Sequence, residues 1–162
     1  MKSSHFSPDI LEFLYLLSKY QVKYLIVGGE AVIYYGHVRL TGDVDIFFES
    51  EPENVERLYE ALTEFWKGQI PGVKRADELM EPGVIFQFGV PPNRIDLINQ
   101  IEEIFFNDAW KAKVTETISS GDEIITIYFI GIEQLVINKA SLNRPKDLED
   151  LKYLRKKLEI RK

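Results

Sequence analysis

The sequence has no cysteine and only two histidines, His5 and His37. Without thiols there is no disulfide, no cysteine–zinc site and no thiol nucleophile, and two histidines without a cysteine argue against a zinc enzyme. The same absence fits a reducing cytoplasm, the expected location. No run approaches the ~20 apolar residues that span a bilayer, and the first residues show no basic segment followed by an apolar one. Neither a membrane span nor a secretory signal is therefore expected. A basic excess is missing too. The formal charge of −6 argues against a surface coated for non-specific nucleic-acid binding. Much of the positive charge lies between Lys139 and Lys162. Interspersed with Glu and Asp, this charge reads as a solvated helix face, above all over 156–162, and a local basic patch stays open.

What is present is ordinary for a globular chain: 45% hydrophobic and 28% charged residues over 162 positions. That length suits one domain with a real core, so residues 1–162 are expected to form a single unit, with C-terminal helices from about 131.

The chemistry concentrates between Tyr24 and Phe48. Leu25-Ile26-Val27 reads as a buried strand, broken by Gly28-Gly29. Ala31 to Tyr35, closed by Gly36, suits one to two turns of helix. In Asp43-Val44-Asp45-Ile46-Phe47-Phe48, strand alternation sets Val44, Ile46 and Phe48 on a core face and points Asp43 and Asp45 together to the other. Their β-carbons then lie roughly 7 Å apart, within reach of one cation. Hard divalent ions take oxygen ligands, and Mg²⁺ typically uses one or two carboxylates plus substrate phosphates. A strand-Gly-Gly-helix turn complements this, because its backbone N–H groups approach a phosphate closely.

An apolar strand, Gly28-Gly29, a short helix and then Arg39-x-Thr41-x-Asp43-x-Asp45 resemble the nucleotidyltransferase superfamily that includes DNA polymerase β, and particularly its small prokaryotic members related to the AbiEii toxins and minimal nucleotidyltransferases. Asn138 to Asp150 strengthens the resemblance, with Lys139 followed by Arg144-x-Lys146-Asp147-x-x-Asp150. Tyr35 departs from the pattern, standing where small relatives often carry His. The resemblance implies transfer of a nucleoside monophosphate from a nucleoside triphosphate such as ATP to an acceptor hydroxyl, with release of pyrophosphate. It implies Asp43, Asp45 and a third acid on a later strand as catalytic metal ligands for Mg²⁺, in a one- or two-metal site where Mn²⁺ can substitute. It further implies a nucleotide site at Gly28, Gly29, Arg39, Thr41 and Lys139.

Thr41 either binds a phosphate oxygen or shapes the approach to Asp43. Arg144, Lys146 and Asp147 are accessory candidates: Asp147 orients a basic residue or assists the acceptor, or else stabilises a helix N-terminus. Asp150 is open between the same two roles. Glu30 brings negative charge toward the phosphate site unless it turns away, and His37 is either a displaced contact or a loop residue without function. The acceptor, whether tRNA, a protein side chain or a small molecule, is not legible, and a small antitoxin is a partner the resemblance implies. A non-catalytic nucleotide-binding or protein-interaction module of a toxin–antitoxin pair is the competing expectation.

Elsewhere Ser7-Pro8-Asp9 opens a helix to about Tyr20, and Glu51-Pro52 opens another to about Trp66. Residues 67–83 read as a loop, and Val84 to Val90 and Arg94 to Asn99 as strands turned by Pro91-Pro92-Asn93. On the second strand Arg94 and Asp96 share a face, which makes Asp96 the candidate third carboxylate, or else a surface acid paired with Arg94. A short helix is ambiguous within Ile101 to Trp110. Lys113 to Ile118 and Ile124 to Phe129 suit a hairpin joined through Ser119-Ser120-Gly121-Asp122. Gly131 to Leu142 and a segment opened by Pro145 suit two last helices, the latter packing through Leu148, Leu151, Tyr153, Leu154 and Leu158. The expected class is α/β (α+β), a mixed sheet with helices packed on one face.

Overall fold

The computed structural model describes residues 1–2 and 5–161; Lys162, part of the basic tail, lies outside the described residues. Ser7 caps α1 (Pro8–Lys19), its hydroxyl accepting from the Ile10 N–H at 3.3 Å, and Pro8 opens the first turn. Ile10, Phe13, Leu14 and Leu17 recur at helical spacing and are buried, packing α1 against α3 (Pro52–Phe65) and β6 (Glu123–Phe129). Asn54 ties α3 to the sheet. Its buried amide donates to the carbonyls of Lys23 and Glu49 and its oxygen accepts from the Lys23 N–H at 2.7 Å.

Six strands form one mixed sheet in the order β3-β4-β2-β1-β6-β5. β1 (Tyr24–Val27) runs antiparallel to β2 (Asp43–Phe48) and parallel to β6. β4 (Arg94–Ile98) runs parallel to β2 and antiparallel to β3 (Ile85–Phe88). The β5 (Val114–Ser120) to β6 hairpin is longer than expected: Ser120 pairs with Glu123, so the turn is Gly121-Asp122 alone, with Gly121 at φ +64°. Residues 67–83 are not all loop, since a 3₁₀ turn spans Ala76–Met80 and buries Leu79. The ambiguous segment resolves into a bridge between Ile101 and Ile104 followed by α4 (Phe106–Lys111). Phe106 meets Phe47 edge-on, with ring centroids 5.2 Å apart.

The last two helices differ most from their apolar pattern. α5 (Ile132–Leu142) ends at Asn143, whose left-handed backbone (φ +56°) turns the chain into α6 (Pro145–Arg161). On α6 the buried stripe is Asp147, Asp150, Leu151 and Leu154, whereas Leu148, expected to pack, is exposed. Spacings of three, four and seven residues put two acids on the inward face of this helix. They are tolerated there because cations meet them, as the site shows.

Candidate active site

The register of β2 on β4 builds the centre. Asp43 lies directly opposite Arg94, and Asp45 directly opposite Asp96, so strand alternation puts all four side chains on one face as a two-by-two array. Oxygens of Asp43, Asp45 and Asp96 come within 4.8 Å of one another. Asp96 is therefore not a surface acid, being only 6% exposed. It is, however, paired with Arg94, whose guanidinium donates to Asp96 Oδ1 at 2.9 Å and Oδ2 at 3.1 Å, and also to Asp43 Oδ2 at 2.6 Å.

Asp45 accepts no side-chain hydrogen bond among the described residues. Burial, with the neighbouring Asp43 and Asp96 carboxylates, pushes its pKa up to about 7, while the charges of Lys139 and Arg94 offset this in part. Three converging hard oxygen donors, with excess negative charge and no sulfur or imidazole among them, fit a divalent cation of the Mg²⁺ type.

The end of β1 delivers the glycines to this array, because Val27 pairs with Asp45. α2 (Gly28–Tyr34) starts at Gly28 itself rather than after the glycine pair. Gly28 has φ +64°, and a Cβ there would lie 2.1 Å from Asp45 Oδ2; one at Gly29 would lie 2.8 Å from Thr41 Oγ1. Both glycines are needed for close approach, of which the first also needs its backbone conformation. Gly28→Ala is expected to cost about 1–2 kcal/mol and to push the Asp45 carboxylate aside; an unchanged urea midpoint would count against this account. Thr41 shapes the site through Asp43, its hydroxyl donating to Asp43 Oδ1 at 3.2 Å.

These groups line a cavity of about 880 Å³, with Arg39, Lys139, Arg144 and Lys146 on its basic wall. A buried ion network stands behind that wall. Arg39 pairs with Asp150 and Arg144 with Asp147, while Lys139 Nζ lies 3.1 Å from both Asp147 and Asp150. Burial opposes ionisation of Asp147, but hydrogen bonds from Arg144 and Lys139 outweigh it and hold the carboxyl below its usual range. Lys139, expected to meet phosphate, is itself 3% exposed. Its ammonium is committed to the two α6 acids, and the half-exposed Arg144 and partly exposed Arg39 carry charge into the cavity.

Glu30 is absent from the cavity wall and turns to His5, 2.8 Å away. The repulsion it threatened is thereby removed, and His5 acquires a partner. His37 Nε2 lies 3.9 Å from Asp150 and its ring 4.7 Å from that of Tyr153, behind the network rather than on the cavity wall. Two residues were underrated by sequence pattern. Arg94 joins Asp43 only through strand register, and Asp150 meets Arg39 across 111 positions of chain.

A mixed sheet that sets a glycine turn against converging carboxylates on neighbouring strands, beneath a basic wall, defines the chain as a protein of the nucleotidyltransferase superfamily. The family model described as "Nucleotidyltransferase of unknown function (DUF6036)" matches residues 8–160, and the chain belongs to that family. No curated protein matches it. Among the described residues no helix is long and apolar enough to cross a membrane.

Proposed function

We propose that residues 1–162 act as a single cytoplasmic, Mg²⁺-dependent nucleotidyltransferase of the small AbiEii-like type, which moves a nucleoside monophosphate from a nucleoside triphosphate to an acceptor hydroxyl. The observation that carries this reading is the convergence of Asp43, Asp45 and Asp96 inside a cavity with a basic wall. Asp43, Asp45 and Asp96 would hold Mg²⁺, with Mn²⁺ as a substitute, and the bound ion would neutralise charge developing on the phosphoryl group. The acceptor oxygen forms a bond to the α-phosphorus as the bond to the β-phosphate oxygen breaks and pyrophosphate leaves. The acceptor proton passes to a carboxylate, for which Asp96 is the choice. Backbone N–H groups at Gly28 and Gly29 and the Arg39 guanidinium grip the triphosphate, and Arg144 and Lys146 meet charge farther out. Lys139 and Asp147 serve by placing these arginines. Thr41 steadies Asp43. The acceptor is tRNA, a protein or a small molecule, and a small antitoxin would be the partner if the chain is a toxin.

The test is thermal unfolding of wild type and Asp43→Ala/Asp45→Ala with each of the four nucleoside triphosphates, with and without Mg²⁺. Ligand at about 100 times its Kd adds roughly 2.7 kcal/mol, or roughly 5–10 °C for a domain of this size. A Mg²⁺-dependent shift confined to wild type is expected. Absence of any shift in folded protein would sink the reading, whereas a shift without pyrophosphate release in an acceptor screen would turn it to a nucleotide-binding module.

A further inference from the structure

The two-by-two array contains a cation of its own. Arg94 reaches Asp43 and Asp96 with three hydrogen bonds, and Gln87 Nε2 adds a longer one to Asp96 Oδ2 at 3.4 Å. A fork of this kind satisfies carboxylate lone pairs and holds both groups in one orientation. A guanidinium does not lose its proton in proteins, so the charge that Arg94 sets against Asp43 and Asp96 is permanent. Asp45, by contrast, faces Asp96 across the strand pair as a like-charged neighbour and, among the described residues, has no side-chain donor. The arrangement is thus one cation shared by two of three acids, with the third left for an incoming positive charge.

Resting on the metal reading above, we infer that Arg94 is a resident counter-charge: it holds Asp43 and Asp96 in place when no divalent cation is bound, and it releases at least one of them when one enters. The guanidinium and the ion compete for the same lone pairs, and they repel each other. Two oxygens of Asp96 and one of Asp43 are already taken by Arg94, so a cation that uses all three acids must displace at least part of the fork or share crowded oxygens with it. Arg94 is a positioning residue in this account. It sets how tightly the free protein takes the ion, so that nucleotide phosphates supply part of the ion's coordination before the site is fully charged.

The experiment titrates the protein with Mn²⁺ alone, measuring free Mn²⁺ by its electron paramagnetic resonance signal, for wild type, Arg94→Met, Arg94→Lys and Asp45→Ala. Arg94→Met is expected to melt lower than wild type without metal and to bind Mn²⁺ at least tenfold more tightly, because a competing cation is gone. Arg94→Lys keeps the charge without the fork and is expected to fall between them. In wild type, the Arg94 Nε–H proton resonance is expected to shift and to exchange faster as Mg²⁺ is added, a readout that holds even if Arg94→Met fails to fold. Binding by wild type that is equal or weaker in Arg94→Met, or an Arg94 resonance unmoved at saturating Mg²⁺, overturns the counter-charge role while leaving the metal site standing. Mn²⁺ binding that is absent from every variant, or undiminished in Asp45→Ala, overturns the metal reading and this inference with it.

Discussion

Asp45→Asn is expected to melt about 4–8 °C above wild type at pH 8 in the absence of metal, while losing nucleotidyl transfer. In the folded chain the Asp45 pKa stands at about 7, raised by burial and by Asp43 and Asp96. In the unfolded chain it returns to about 4. Between these values the folded state holds a proton that the unfolded state has shed, so stability falls as pH rises through this window and the full penalty applies above pH 7. An upper limit of about 4 kcal/mol follows from the shift at 1.36 kcal/mol per unit. Burying an amide in place of the acid reduces the gain to about 2 kcal/mol, which for a chain of this size is the expected change in Tm. The advantage should shrink as pH falls through this window and be gone below about pH 3, where wild type carries the proton in both states. Calorimetry at pH 8 and below about pH 3 checks the sign. An Asn variant that melts below wild type at both would show that Asp45 carries no strain of charge. On the proposed metal reading function opposes stability here, because the acid that destabilises the fold is also the one left to meet a cation.

Lys139→Met is expected to lose about 3–5 kcal/mol of folding free energy, read as a lower urea midpoint, because it leaves buried carboxylates undercompensated. Lys139 is the shared partner of Asp147 and Asp150, which are 0% and 1% exposed. Arg144 still reaches Asp147 and Arg39 still reaches Asp150, so the chain retains some compensation. Adding Asp150→Asn to Lys139→Met should recover part of the loss, since one of the uncompensated charges goes with it; the coupling between the two changes is the quantity to measure. A Lys139→Met midpoint within about 1 kcal/mol of wild type would mean that the lysine is idle in the fold and free for phosphate. Kinetically, loss of Lys139 or Asp150 should raise KM for the nucleotide through misplacement of Arg39 and Arg144, which line the cavity they brace.

Much of this site is legible in local pattern. The β-branched run before Gly28-Gly29, the alternation that brings Asp43 and Asp45 to one face, and the same alternation placing Arg94 beside Asp96 need only a strand's period of two. Helix starts at Pro8, Pro52 and Pro145 follow from proline's fixed φ and its missing donor. On α6 the apolar rule holds for Leu151 and Leu154 and fails at Leu148. A pattern that looks for hydrophobic residues assigns Leu148 inward, while the helix turns Asp147 and Asp150 to the interior. Charged residues are rarely buried unless paired, and their partners lie on α5 and in the segment before β2.

The sequence by itself determined which side chains share a face, because that depends on backbone geometry within one strand or one turn of helix. It determined the glycine turn, the paired acids and the absence of any thiol. Only the tertiary structure decided which faces meet: that Asp43 lies against Arg94 and Asp45 against Asp96, that Glu30 leaves the cavity for His5, and that Lys139 of α5 pairs with the acids of α6. Strand order and register are set by the burial of the whole sheet, and charge pairing across many tens of residues follows from it. No local period carries that information.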